Sequence, residues 1–127
     1  MSAIITRPWA SIARHYLNSG ATNLSILALG EIASRLGNSR YGEALFGWTS
    51  MWDLCITQIP VKYPYNGPYL RIAPIAADRL EFRYVDTHIG DRQWHREVPA
   101  DEAFARLETF LMRDLKWFAP LSAPAAS

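Results

Sequence analysis

"DTH", residues 86–88, and "WHRE", residues 94–97, are the two places where this chain sets a histidine within two residues of a carboxylate. Alternate side chains of an extended strand share a face, so His95 and Glu97 stand together while Trp94 and Arg96 point the other way. An imidazole held between carboxylates and a guanidinium can be tuned for acid–base work near neutral pH. The Asp86–His88 spacing at a hairpin end suits a proton transfer or half of a metal site. No second histidine or cysteine joins it in sequence, so no metal and no cofactor are expected. His15 lies beside the apolar face of a helix and is expected to be structural or superficial. Nothing forms a nucleophile–base–orienter set, and no glycine-rich loop could cradle a phosphate. The pattern favours binding over catalysis.

The second feature is "YPYNGPYL", Tyr63 to Leu70, with three tyrosines and two prolines around Asn66-Gly67. Asn-Gly between strands normally closes a two-residue hairpin. Here the closing bond would need the N–H of Pro68, which has none. The segment from about Lys62 to Pro68 is therefore expected to be a wide, stiff loop. Rigid tyrosines on such a loop make contact surface at low entropic cost, and they serve equally well as a lid on the core.

The elements that must position these residues follow from periodicity. Thr6 before Pro8 suits a helix start, and Trp9, Ile12, Ala13, Tyr16 and Leu17 recur at helical spacing up to Gly20. A second helix begins near Thr22 or Asn23 and ends at Gly37-Asn38. Residues 40–47 are read as a short third helix, although Trp48, Ser50, Trp52, Leu54 and Ile56 also fit alternate positions of a strand. From Asp53 the period is two. "LCITQI", "YLRIA", "RLEFRYVD" and "RQWHREV" read as four strands, the first limited by Pro60 and the second ended or bulged by Pro74.

The register of the last hairpin can be derived. Pairing Tyr84 with Trp94 and Leu80 with Val98 matches large apolar residues on one face and leaves the three-residue loop His88-Ile89-Gly90. It also sets Arg83 opposite His95, in a polar lattice with Arg79, Glu81 and Glu97 and with Arg71 beside it. Arg96 then faces the helices, where Glu102 or Glu108 would have to pair it. A last helix runs from Ala100 to about Trp117, with Phe104, Leu107, Leu111, Leu115 and Phe118 as its apolar stripe.

Strands in a run with helices segregated from them imply an α+β two-layer domain: N-terminal helices, a four-stranded antiparallel meander, and a C-terminal helix on one sheet face. It is expected to occupy residues 1–118, with 119–127 as a loose tail.

Composition bounds the partners. The 127 residues are half hydrophobic and 13% aromatic, as in folded globular chains. The net charge of +1 hides no like-charged block: residues 1–52 carry four Arg against two Glu, 53–99 six basic against six acidic, and the rest three against four. That argues against nucleic acid and anionic membrane as partners. "LSILALGEIA" is too short to span a bilayer, and Cys55 stands alone, so the expected setting is the cytoplasm.

The expected function is a small non-enzymatic module of the inhibitor, immunity or adaptor kind that binds another protein. Its contact surface would comprise Tyr63, Tyr65, Tyr69, Arg71, Arg83, His95 and Glu97, and a homodimer is compatible with the sequence. The alternative is a small-molecule-binding domain or enzyme with a pocket between helices and sheet lined by Tyr41, Trp48 and Trp52. Third comes a single-stranded RNA-binding sheet, disfavoured because Phe82, Tyr84 and Trp94 fall on the face assigned to the core.

Overall fold

In a computed structural model of the chain, which describes residues 5–61, 68–85 and 94–117, helices that precede the sheet and one that follows it cover one of its faces. Helix α1 spans Trp9–Leu17, α2 Leu24–Gly37 and α3 Tyr41–Ala44. Strands β1 (Phe46–Ser50), β2 (Asp53–Thr57), β3 (Tyr69–Ala76), β4 (Arg79–Val85) and β5 (Trp94–Pro99) pair in sequence order as an antiparallel meander. A 3₁₀ turn at Ala100–Glu102 leads into α4, Ala103–Thr109. The architecture is α+β and two-layered, with five strands among the described residues rather than the expected four.

The additional strand is β1. Only Tyr41–Ala44 of the expected helix over 40–47 is helical, and Leu45 is extended, with φ −122° and ψ 151°. The strand's inner positions are Gly47 and Thr49, opposite Ile56 and Leu54. Neither is large and apolar, so the alternation was nearly silent. Gly47 is small because Trp9 occupies the space: a Cβ there would lie 2.6 Å from the end of the indole ring. The indole N–H donates to the Leu45 carbonyl at 3.1 Å, which fixes the ring against the strand.

Around that contact the layers close. Leu54, Ile56, Leu70, Ile72, Leu80, Phe82 and Val98 alternate inward along β2 to β5 and are fully buried. Helix α1 lies on β1, α2 on β3 and β4, and α4 on β5. Toward β5 the packing is aromatic. Phe110 sits 5.2 Å from Phe82 and 5.0 Å from Trp94 between ring centroids, and Tyr84 stacks on Trp94 at 6.1 Å. The register Tyr84–Trp94, Arg83–His95 and Leu80–Val98 is the one derived from the sequence, although its loop lies outside the described residues. Pro74 does produce a bulge, between Pro74 and Ala76.

Three local expectations change. The start of α1 is Pro8, whose φ of −57° suits it, and no side chain caps it. Thr6 is not the cap: Ile5 and Arg7 run extended, donating to the Val61 and Gly47 carbonyls. The last helix does not stay α-helical to Trp117. Residues Phe110–Leu115 widen to π geometry and Lys116 turns left-handed at φ 60°. This brings Trp117 back, its N–H donating to Leu111 and its ring edge-on to Tyr84 at 6.1 Å. Phe118 lies outside the described residues.

Arg96 is exposed, not buried against the helices. It belongs to the outermost strand, where a long side chain reaches past the helical layer to water. Its guanidinium lies 5.7 Å from the Trp94 ring centroid and donates to the His95 carbonyl. The two carboxylates expected to pair it are engaged elsewhere: Glu102 lies 4.0 Å from Arg106, and Glu108 accepts from the Tyr41 hydroxyl.

Two stability outcomes follow from this packing. Leu111, fully buried under α4, should cost about 2–5 kcal/mol when truncated to Ala, measured by urea unfolding. Gly47→Ala drives a methyl into a bonded, rigid ring and should cost about 1–3 kcal/mol, as overpacking does. A loss under about 0.5 kcal/mol for Gly47→Ala would mean the indole can move aside.

Candidate functional site

The face of the sheet turned away from the helices is built from the other half of each strand. The registers align Trp48, Cys55, Arg71, Arg83 and His95 in one row from β1 to β5. Beside it, Phe46 faces Thr57 and Tyr69 faces Val85. On the other side lie Ser50 opposite Asp53, and Ala73, Glu81 and Glu97 in line. The β-pleat alone sets these neighbours, because successive side chains alternate faces.

One end of the row is aromatic. The rings of Trp48 and Tyr69 lie 5.4 Å apart, tilted by 49°, from strands on either side of β2. Beneath them Cys55 is fully buried and Thr57 nearly so, the Thr57 hydroxyl donating to the Pro68 carbonyl at 3.3 Å. Burial pushes the Cys55 thiol up to about 12, with Asp53 adding to the shift and Arg71 opposing it. A thiol held protonated is neither a nucleophile nor a metal ligand at neutral pH.

The rest of the row is ionic. Arg71 Nε lies 2.5 Å from Asp53 Oδ2, a half-buried pair joining β3 to β2. Burial works against the Arg71 charge, but the Asp53 hydrogen bond, with Cys55 and Tyr69, outweighs it and raises its pKa. Arg71 stands directly opposite Arg83. Like charges facing one another across strands repel, and the repulsion is relieved sideways: Arg83 turns to Glu81 at 2.9 Å. Glu81 also lies 3.8 Å from His95 Nδ1, and Arg79 lies 3.8 Å from Glu97. Except for the more buried Glu81, the partners in these outer pairs are about half or more exposed, and such pairs contribute about 0–1 kcal/mol each. They are available to a partner at little cost.

The structure thus brings together Tyr69, Arg71, Arg83, His95 and Glu97. Tyr63 and Tyr65, like Asp86 and His88, lie outside the described residues. Trp48 and Asp53 complete the surface and were not assigned to it from sequence. Trp48 could have been, through the Trp48–Ser50 alternation; Asp53 had no signal, because its pairing with Arg71 is a cross-strand event. The expected pocket of Tyr41, Trp48 and Trp52 does not form. Tyr41 is buried against Glu108, Trp48 is on the open face, and Trp52 is in the β1–β2 turn. His15 is exposed and stacks on Trp52 at 5.8 Å. Among the described residues no three His, Cys, Asp or Glu side chains converge as a metal site, and no helix is long and apolar enough to cross a membrane.

The buried thiol gives a pH signature. Its pKa is raised in the folded state, so its contribution to stability is intact below about 9 and is lost as pH rises toward 12, where only the unfolded chain sheds the proton. Unfolding free energy should fall by up to about 1.4 kcal/mol per pH unit above 9 for this one group. The fall between pH 9 and 10 should be shallower in Cys55→Ala. An identical slope in the two proteins would contradict the burial, as would rapid thiol labelling of the native chain.

Compared with known proteins, the chain matches no family model, no curated sequence and no solved structure.

Proposed function

We propose that the chain is a small non-enzymatic module that binds another protein through the open face of its sheet. The observation that carries this reading is the row Trp48–Arg71–Arg83–His95, which sets two guanidiniums beside an aromatic pair on a face no described helix covers. Tryptophan, tyrosine and arginine are the residues most often found at interface hot spots. Here they are preordered by the sheet, so binding would freeze few rotamers. The charges are mixed, three arginines against Asp53, Glu81 and Glu97, which suits a partner with both signs on its surface. An inhibitor, immunity or adaptor role needs no more chemistry than this.

One observation favours a second reading. Trp48 beside Tyr69, with Arg71 and Arg83 following, is also the form of a platform on which unpaired bases stack. The interleaved carboxylates and the near-zero net charge count against it, because phosphate contacts dominate such binding.

Arg83 is the discriminating residue, more than half exposed and paired, among the described residues, with its neighbour Glu81. Arg83→Ala should weaken binding to a captured protein partner by at least about 1 kcal/mol, read by calorimetry, with thermal unfolding unchanged. Unaltered affinity would remove the open face from consideration. Tight, salt-sensitive binding of a pyrimidine oligoribonucleotide, without a protein partner, would transfer the surface to the RNA reading.

A further inference from the structure

The exposed apolar side chains of this protein are not scattered. Seven large hydrophobic residues are open to solvent among the described residues, and four of them gather at one end of the sheet. These are Leu24 (60% exposed), Met51 (90%), Trp52 (45%) and Ile75 (45%). Met51 and Trp52 form the β1–β2 turn, Ile75 lies on the bulge of β3, and Leu24 opens α2. The Ser25 N–H donates to the Ala77 carbonyl at 2.9 Å, which brings the start of α2 to the β3–β4 turn. Single exposed hydrophobics need no explanation, but a contiguous patch marks a contact.

The shape of the patch is a knob beside a hollow. Ser50 pairs with Asp53, so Met51 and Trp52 are the two loop residues of a tight hairpin. Such loops call for positive φ, which Asn, Asp or Gly normally supply. Here a methionine takes it, at φ 57°. Its side chain projects almost wholly into solvent, so packing within the chain does little to offset that strain. Next to it lies a hollow of about 440 Å³, lined by Ile26, Trp52, Pro74 and Ile75 among others and by no charged residue. Trp52 stands between knob and hollow and is held on two sides. His15 stacks on its ring at 5.8 Å, and the Tyr16 hydroxyl donates to its carbonyl at 3.1 Å.

Two properties of the patch say what covers it. The first is charge. Neither the knob nor the lining of the hollow carries any, so a charged partner surface would be desolvated there with nothing to pair it. The surface that matches is equally uncharged and apolar. The second is self-complementarity. A twofold contact uses the same patch on both chains, so the patch must hold both a projection and the recess that receives it. Met51 and the hollow supply both within one face. At these exposures the four side chains offer roughly 500 Å² per chain, so a reciprocal contact would bury about 1,000 Å², where weak but specific interfaces begin.

We propose that this end of the sheet binds a second copy of the chain about a twofold axis, each chain's Met51 seated between Trp52 and Ile75 of the other. The contact uses none of the row on the open face and does not rest on the reading of that face.

The test is sedimentation equilibrium of the full chain from about 1 to 500 µM, where a weak dimer with Kd on the order of 10–100 µM should appear. Met51→Asn suits the positive φ and removes the knob. It should weaken the dimer at least about 10-fold, while its melting temperature at low concentration stays at or above that of the parent. Met51→Lys and Ile75→Asp should each be monomeric alone yet form a one-to-one dimer when mixed, because the new ammonium and carboxylate then meet across the contact. Four results would each overturn the proposal. They are a parent that stays monomeric up to about 500 µM, a dimer unchanged in Met51→Asn, or no association in the mixture. The fourth is a monomer held on phosphatidylcholine vesicles through Met51, which would give the patch to a lipid surface.

Discussion

The seat of the Trp9 indole on Gly47 is the constraint on which the two layers depend. Trp9 opens the first helix, and its ring fills the place a side chain of β1 would take. On the other side its Cβ comes so close to Gly37 that a Cβ there would lie at 2.8 Å. One side chain thus sits between the end of α2 and the first strand, and its N–H satisfies the Leu45 carbonyl between them. Such a joint needs glycine on both sides, because interiors packed at crystal density have no slack for a methyl. It also orders the chain before α1, since Arg7 pairs with Gly47 on the outer edge of β1.

That joint determines where the sheet is open. The outer edge of β1 is bridged at Gly47 by Arg7, and the opposite edge is β5, whose outer side has no paired strand among the described residues. Its exposed residues are His95, Arg96 and Glu97. Charges on an edge oppose indiscriminate strand addition, which accounts for an arginine where alternation asked for an apolar residue. On the outer face the same logic runs in two dimensions. Most large aliphatic residues of β2 to β5 lie on the helical side, and the other side carries chiefly charges, one buried thiol and an aromatic pair. The Arg71–Asp53 contact holds that face together near its centre, where each charge is three-quarters buried or close to it and needs the other.

Legibility followed burial. The register of β5 on β4 could be derived to the residue, because Leu80, Phe82, Tyr84, Trp94 and Val98 are large and their register decides whether they meet. β1 could not, because its inner face reports Trp9, thirty-eight residues away from Gly47, and not its own sequence. The π turn after Thr109 has the same origin. Periodicity marks the helix, but the demand that Trp117 return to Tyr84 is tertiary. Of the open face, the pairing of Arg83 with His95 was readable from one hairpin. Asp53 was not, because its pairing with Arg71 is a cross-strand event, and Trp48 had only the weak Trp48–Ser50 alternation to mark it.

The β1–β2 turn fastens the open face to the helical layer. Trp52, stacked on His15 of α1, is adjacent to Asp53, which holds Arg71 on the open face. Between them lies the Trp52 carbonyl, bonded by the hydroxyl of Tyr16. Tyr16 is fully buried, and burial, with Cys55 and Asp53, raises its hydroxyl's pKa, so the donor proton stays in place. The turn also holds Met51 at φ 57°, a backbone region a non-glycine residue occupies only when its surroundings impose it. The turn is thus anchored at one carbonyl and strained at the residue before it, and Asp53 leaves it already placed against Arg71.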